Sequence, residues 1–109
     1  MPRVISRAIL VLGRSEPAEE TLRQVELFDE VFVVECAAPA AEDEYVVDEE
    51  RARREARERL RAVLDRLHRD GVSAEGAVGD PSEEAAARDA EAVFPDAGII
   101  LYGDRRPGH

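Results

Sequence analysis

Ala8-Ile9-Leu10-Val11-Leu12-Gly13-Arg14-Ser15-Glu16-Pro17 is the stretch that decides the fold. Five apolar residues in a row, with no polar alternation, suit a strand buried on both faces, as in the middle of a parallel sheet. The run breaks at Gly13, and Ser15 stands where it can cap a helix with Pro17 in the first turn. Acidic Glu16, Glu19 and Glu20 match the positive end of that helix. Leu22, Val25 and Phe28 fall on one of its faces.

Outward from this unit the pattern repeats. Val31-Phe32-Val33-Val34-Glu35-Cys36 reads as a second buried strand, and residues 37–44, small, acidic and Pro-containing, as a surface loop. Ala52, Ala56, Leu60, Val63, Leu64 and Leu67 form one apolar stripe at helical period, which predicts a helix over residues 48–70. Asp48 can cap it, and Gly71 stands at the position after its C-terminus. Glu50–Arg54, Glu55–Arg59 and Asp65–Arg69 have the favourable order for pairs four residues apart, each adding about 0.2–0.5 kcal/mol. Residues 72–78 alternate, as an edge strand would. Gly79-Asp80-Pro81-Ser82 turns into a helix reaching Val93, with Ala85, Ala86, Ala90 and Val93 expected inside. Gly98-Ile99-Ile100-Leu101-Tyr102 is a last strand, followed by a loop-like tail. The order βαβαβαβ predicts one α/β domain over residues 1–109, a parallel sheet with helices on both faces.

Composition narrows the chemistry. All 15 basic residues are arginine, and the net charge is −10. Without lysine there is no Schiff base and no phosphate-binding lysine of the Walker type. One cysteine and two histidines cannot assemble a structural zinc site. An acidic chain repels nucleic acid and anionic membrane, and no apolar stretch approaches the length that spans a bilayer. The eight arginines between residues 51 and 69 are interleaved with acids and lack aromatics, so they read as a solvated helix face rather than an RNA footprint. Cys36 reads as a small buried hydrophobe, and His68 as a helix-end or solvent-facing residue. With a single cysteine and no leader-like segment, the expected location is cytoplasmic.

The order and spacing of these segments resemble the universal stress protein family over nearly the whole chain. The resemblance lies in Ile9-Leu10-Val11-Leu12-Gly13 with the helix after it, in Leu67-His68-Arg69-Asp70-Gly71-Val72, in Gly79-Asp80-Pro81 before an alanine-rich helix, and in Asp96-Ala97-Gly98-Ile99-Ile100-Leu101-Tyr102-Gly103. It implies an α/β fold with sheet order 3-2-1-4-5, of which this chain would supply a three-layer open sheet of four parallel strands in the order 3-2-1-4, and frequent homodimers. It also implies, in one branch, ATP binding. The sequence departs from that branch. Gly13 and Arg14 stand where an aspartate and a glycine are usual. Gly103 matches the first glycine of the nucleotide motif, but Arg106 occupies the second glycine's place. The third glycine, the final helix and the fifth strand would all fall beyond residue 109.

In a 3-2-1-4 sheet the connections reverse direction between strands one and four, and ligands of open α/β sheets settle outside the strand ends at that point. The expected crevice is lined by Gly13, Arg14 and Ser15 on one side and Gly103, Asp104, Arg105 and Arg106 on the other. Arginine forks there suit an anion. The resulting expectation is a small non-catalytic regulatory module of stress response, with no obligatory cofactor. It would bind an adenine nucleotide or other anionic small molecule at most weakly, and would self-associate as a homodimer. The alternatives are a nucleotide-hydrolase-like enzyme of the same superfamily and a pure protein-interaction module with a vestigial crevice.

Overall fold

The computed structural model describes residues 5–13, 17–37, 49–80 and 82–102. Among these residues four strands and three helices alternate in the expected order. They are β1 (Arg7–Leu12), α1 (Glu19–Val25), β2 (Glu30–Cys36), α2 (Glu49–Arg69), β3 (Ser73–Gly79), α3 (Glu83–Val93) and β4 (Ile99–Tyr102). The sheet is parallel throughout, in the order β3-β2-β1-β4. β1 is therefore central, with β2 and β4 beside it: Leu10 lies opposite Val33 on one side and Leu101 on the other.

The period of two along each strand sorts side chains between two cores. Leu10, Leu12, Val31 and Val33 face Leu22 and Val25 of α1 and Leu60, Val63 and Leu67 of α2. Ile9, Val11, Phe32, Val34 and Cys36 face Ala86, Ala87 and Ala90 of α3, closed off by Phe94. Helices α1 and α2 thus cover one face, and α3 the other. This is the doubly wound arrangement that right-handed crossovers produce when the direction of strand addition reverses.

The amino ends of β1 and β2 are clamped together. Asp29 accepts from the Ser6 backbone N–H at 2.9 Å and from its hydroxyl at 3.1 Å, while its own N–H donates to the Ser6 carbonyl at 3.0 Å. Arg7 lies over the Phe94 ring, 5.2 Å from its centre, and reaches Asp96 at 3.1 Å and Glu30 at 3.4 Å.

Local expectations fare unevenly. α2 ends as its glycine predicts. Gly71 has φ of 81°, Val72 N–H donates to the Leu67 carbonyl at 2.9 Å, and Gly71 N–H donates to that of His68 at 3.1 Å. That is a Schellman motif, with Leu67 and Val72 both in the core beside it. α1 begins later than expected. Its N-cap is Ala18, with no side-chain cap bond, so Pro17 precedes the helix instead of sitting in its first turn, and Ser15 lies outside the described residues. In α3 the inner face is rotated: Ala86, Ala87 and Ala90 are buried, Ala85 only partly, and Val93 is 67% exposed. Phe94, just past the helix, fills the space that Val93 was expected to fill. Ser82 accepts from the Ala85 N–H and caps this helix. Among the described residues the four-residue pairs along α2 include Arg51–Glu55 and Arg66–Asp70, and Arg59 turns inward instead of pairing with Glu55. The expected cap Asp48 lies outside the described residues.

Two glycines are required for different reasons. A Cβ on Gly76 would press into the Val33 carbonyl oxygen and lie 2.9 Å from Leu60 Cδ1. The absent side chain is what lets α2 sit down on β3. Gly71 is spatially open but needs the left-handed backbone. Gly76→Ala should cost about 2–3 kcal/mol by overpacking, and Gly71→Ala about 1 kcal/mol from conformation alone. Denaturant unfolding of both variants checks the order. Equal losses would mean that α2 does not depend on the close approach at Gly76.

Candidate functional site

β1 and β4 are adjacent, and they are joined to the rest of the chain in opposite senses: β1 leads towards β2, while β4 arrives from β3 across the sheet. The reversal expected between strands one and four is therefore present. Gly13 is buried at the carboxyl end of β1. The other residues named for the crevice, Arg14, Ser15, Gly103, Arg105 and Arg106, together with Asp104, lie outside the described residues. Sequence places two of these groups directly: Arg14 stands two positions after Leu12, and Gly103 directly follows Tyr102, which lies opposite Val11.

A second constellation, outside the residues expected from sequence, joins β2 to α2. Glu35 is the one charged residue of β2 whose side chain is withdrawn from solvent, 1% exposed. Its parity with Val31 and Val33 turns it towards α1 and α2, where an apolar residue would be usual. Arg59 of α2 meets it, donating from Nε to Glu35 Oε1 at 2.7 Å, and its Nη2 reaches the Cys36 carbonyl at 3.4 Å. Burial pushes the Glu35 carboxyl upward in pKa, and the bond and charge of Arg59 pull it part of the way back. The available signal was the lone acid inside an apolar run. A carboxylate there must find a cation or remain protonated.

Beside this pair a cavity of about 280 Å³ opens between α1 and α2. Leu22 and Val63 line its apolar part, with Glu35, Arg59, Arg66, Arg69 and Glu19 among the polar groups. Glu19 and Arg66 form a forked pair, at 2.8 and 3.1 Å, which ties the start of α1 to α2. The Arg66 guanidinium holds the Glu19 carboxyl below its ordinary pKa, and Glu19 raises that of Arg66 in return. Both side chains are largely in solvent, so this pair orients more than it stabilises.

The nucleophile inventory is small. Cys36 is 1% exposed among the apolar side chains under α3, in keeping with its expected role as a buried hydrophobe. His68 is exposed, with Nε2 2.8 Å from the Ala74 carbonyl on β3. No group of three or more histidine, cysteine or acidic side chains among the described residues could hold a metal ion. No described helix is long and apolar enough to cross a membrane.

Removing one member of a buried pair strands the other. Arg59→Leu should cost about 2–3 kcal/mol, lowered from the usual range because Arg59 is partly exposed. Adding Glu35→Leu should recover most of that loss. The pH sign is also defined. Because the native pKa of Glu35 is raised, its contribution to stability is full below the unfolded carboxylate value, about 4.3. It is lost as pH rises through the higher native value. Measured against Glu35→Gln across about pH 4 to 7, the wild type should lose ground as pH rises. A difference that grows in its favour would contradict the burial argument.

A scan against protein-family models found no match, and neither curated proteins nor solved structures gave one.

Proposed function

We propose that this chain is a non-catalytic module resembling the universal stress proteins, whose work is regulatory and which holds a small anion weakly at the β1/β4 switch point. The observation that supports this most is the strand order β3-β2-β1-β4. It sets the carboxyl ends of β1 and β4 side by side where the winding reverses, the usual ligand position of open α/β sheets. Gly13 ends β1 without a side chain to obstruct a ligand. Arg14, Arg105 and Arg106 are the sequence neighbours of those strand ends and supply planar forks suited to phosphate. A nucleotide is the expected anion, held loosely because an aspartate and a second glycine are replaced by Gly13 and Arg106. An enzyme reading is disfavoured by the absence of lysine and the want of a general base other than carboxylates near the crevice.

β4 supports the accompanying proposal of a homodimer. It has four residues, lies beside β1 alone among the described strands, and leaves Ile99 41% exposed at the sheet edge. An apolar edge strand with no lysine or proline to blunt it invites a second copy across a two-fold axis. β3, the other edge, exposes Ser73 and Glu75 and contains Gly76, a poorer surface for pairing.

Titration calorimetry with ATP should give a dissociation constant weaker than about 100 μM, near −5.5 kcal/mol, and Arg106→Glu should abolish the heat. A low-micromolar constant would overturn the weak-binding reading. ATP consumption that disappears when a crevice residue is changed would favour the enzyme. Sedimentation at tens of micromolar protein (about the range where weak dimers form) should show a dimer. Ile99→Arg should dissociate it, and Ser73→Arg should not. A monomer throughout would remove the dimer.

A further inference from the structure

We propose that the cavity between α1 and α2 is a second binding site, for a small organic anion carrying a short apolar stem. The site shares no residue with the switch-point crevice and does not rest on that reading.

Three observations converge on it. The first is the state of Arg59. Its Nε is committed to Glu35 at 2.7 Å and its Nη2 to the Cys36 carbonyl at 3.4 Å, while Nη1 makes no bond to a described residue. The side chain is 27% exposed and lines the cavity. A guanidinium anchored on two sides, with donors left over at a hollow, is prepared to receive an acceptor at little cost in side-chain ordering.

The second is the local charge. In a chain of net charge −10, the cavity lining carries three arginines against two glutamates. Glu35 is neutralised by Arg59, and Arg66 is shared between Glu19 and Asp70. Arg69 remains, with no ion-pair partner among the described residues. An anion entering the hollow therefore meets an uncompensated cation, whereas most of the remaining surface repels it.

The third is shape and polarity. The volume of about 280 Å³ is near the lower end of small-ligand pockets. Leu22 and Val63, both core residues, close its inner side. An apolar lining beneath charged groups selects an amphipathic molecule over a bare inorganic ion. The chemistry admits a carboxylate or a phosphate monoester as the head group.

The test is amide mapping by NMR on the full chain, with hexanoate and hexyl phosphate as probes and hexylammonium and inorganic phosphate as controls. At least one of the two anionic probes should shift the amides of Leu22, Arg59 and Val63 saturably, and whichever binds more tightly identifies the head group. Both controls should bind at least about tenfold more weakly. Arg69→Gln removes the free cation, and Ala62→Trp fills the hollow from its exposed rim. Both positions lie at the surface, so the variants should keep the fold and its spectrum. Each should weaken probe binding about tenfold, leaving any shift at Gly13 unchanged. The proposal is overturned if neither anion saturates, if hexylammonium binds as tightly, or if both variants bind like the wild type.

Discussion

Everything in this fold is arranged around β1. Its residues Ala8 to Val11 are wholly buried and Leu12 nearly so, because β2 and β4 occupy both of its edges and helices cover both of its faces. A strand so enclosed must be apolar at every position, since any polar side chain would need a buried partner. It also sets where the winding reverses, because β1 is the strand from which the chain leaves towards β2 and to which it returns as β4. The switch point and the unbroken apolar run of residues 8–12 thus fall on the same strand.

β2 has the same two-sided burial and admits one exception. At Glu35, near its carboxyl end, a carboxylate is taken into the α1/α2 core and met by Arg59. Such a pair is weak as a source of stability, because desolvating two charges offsets most of their attraction. Its effect is positional. It locks the register of α2 against the sheet at the level of the strand ends and holds the guanidinium at the mouth of a cavity. Glu19 and Arg66 do the comparable work between α1 and α2 at the surface. Both pairs line the hollow between the two helices.

What could be read from the sequence follows from the range of the interaction involved. Strands β1 and β2 were legible because two-sided burial leaves an unbroken apolar run, and the end of α2 because Gly71 alone satisfies the left-handed turn there. The face of α3 is not legible, since its alanines differ too little in apolarity to define a side. Phe94, outside the helix, settled the packing and left Val93 in solvent. The Arg59 partner is not legible for a related reason. Glu55, four residues away on the same helix, offered a local pair, whereas the real one is 24 residues distant and exists only once the sheet has formed. Of the expected crevice, the fold shows the reversal between β1 and β4 and the buried Gly13. Arg14, Ser15, Gly103, Arg105 and Arg106 lie outside the described residues.

The central claim is that function resides at the carboxyl ends of β1 and β4, and a crystal structure grown with excess ATP tests it most directly. The account predicts triphosphate density against Gly13, contacted by arginines from residues 14 and 103–106, with the nucleotide intact. Crystals of the same fold with that crevice empty, or with nucleotide held only elsewhere on the molecule, would contradict it.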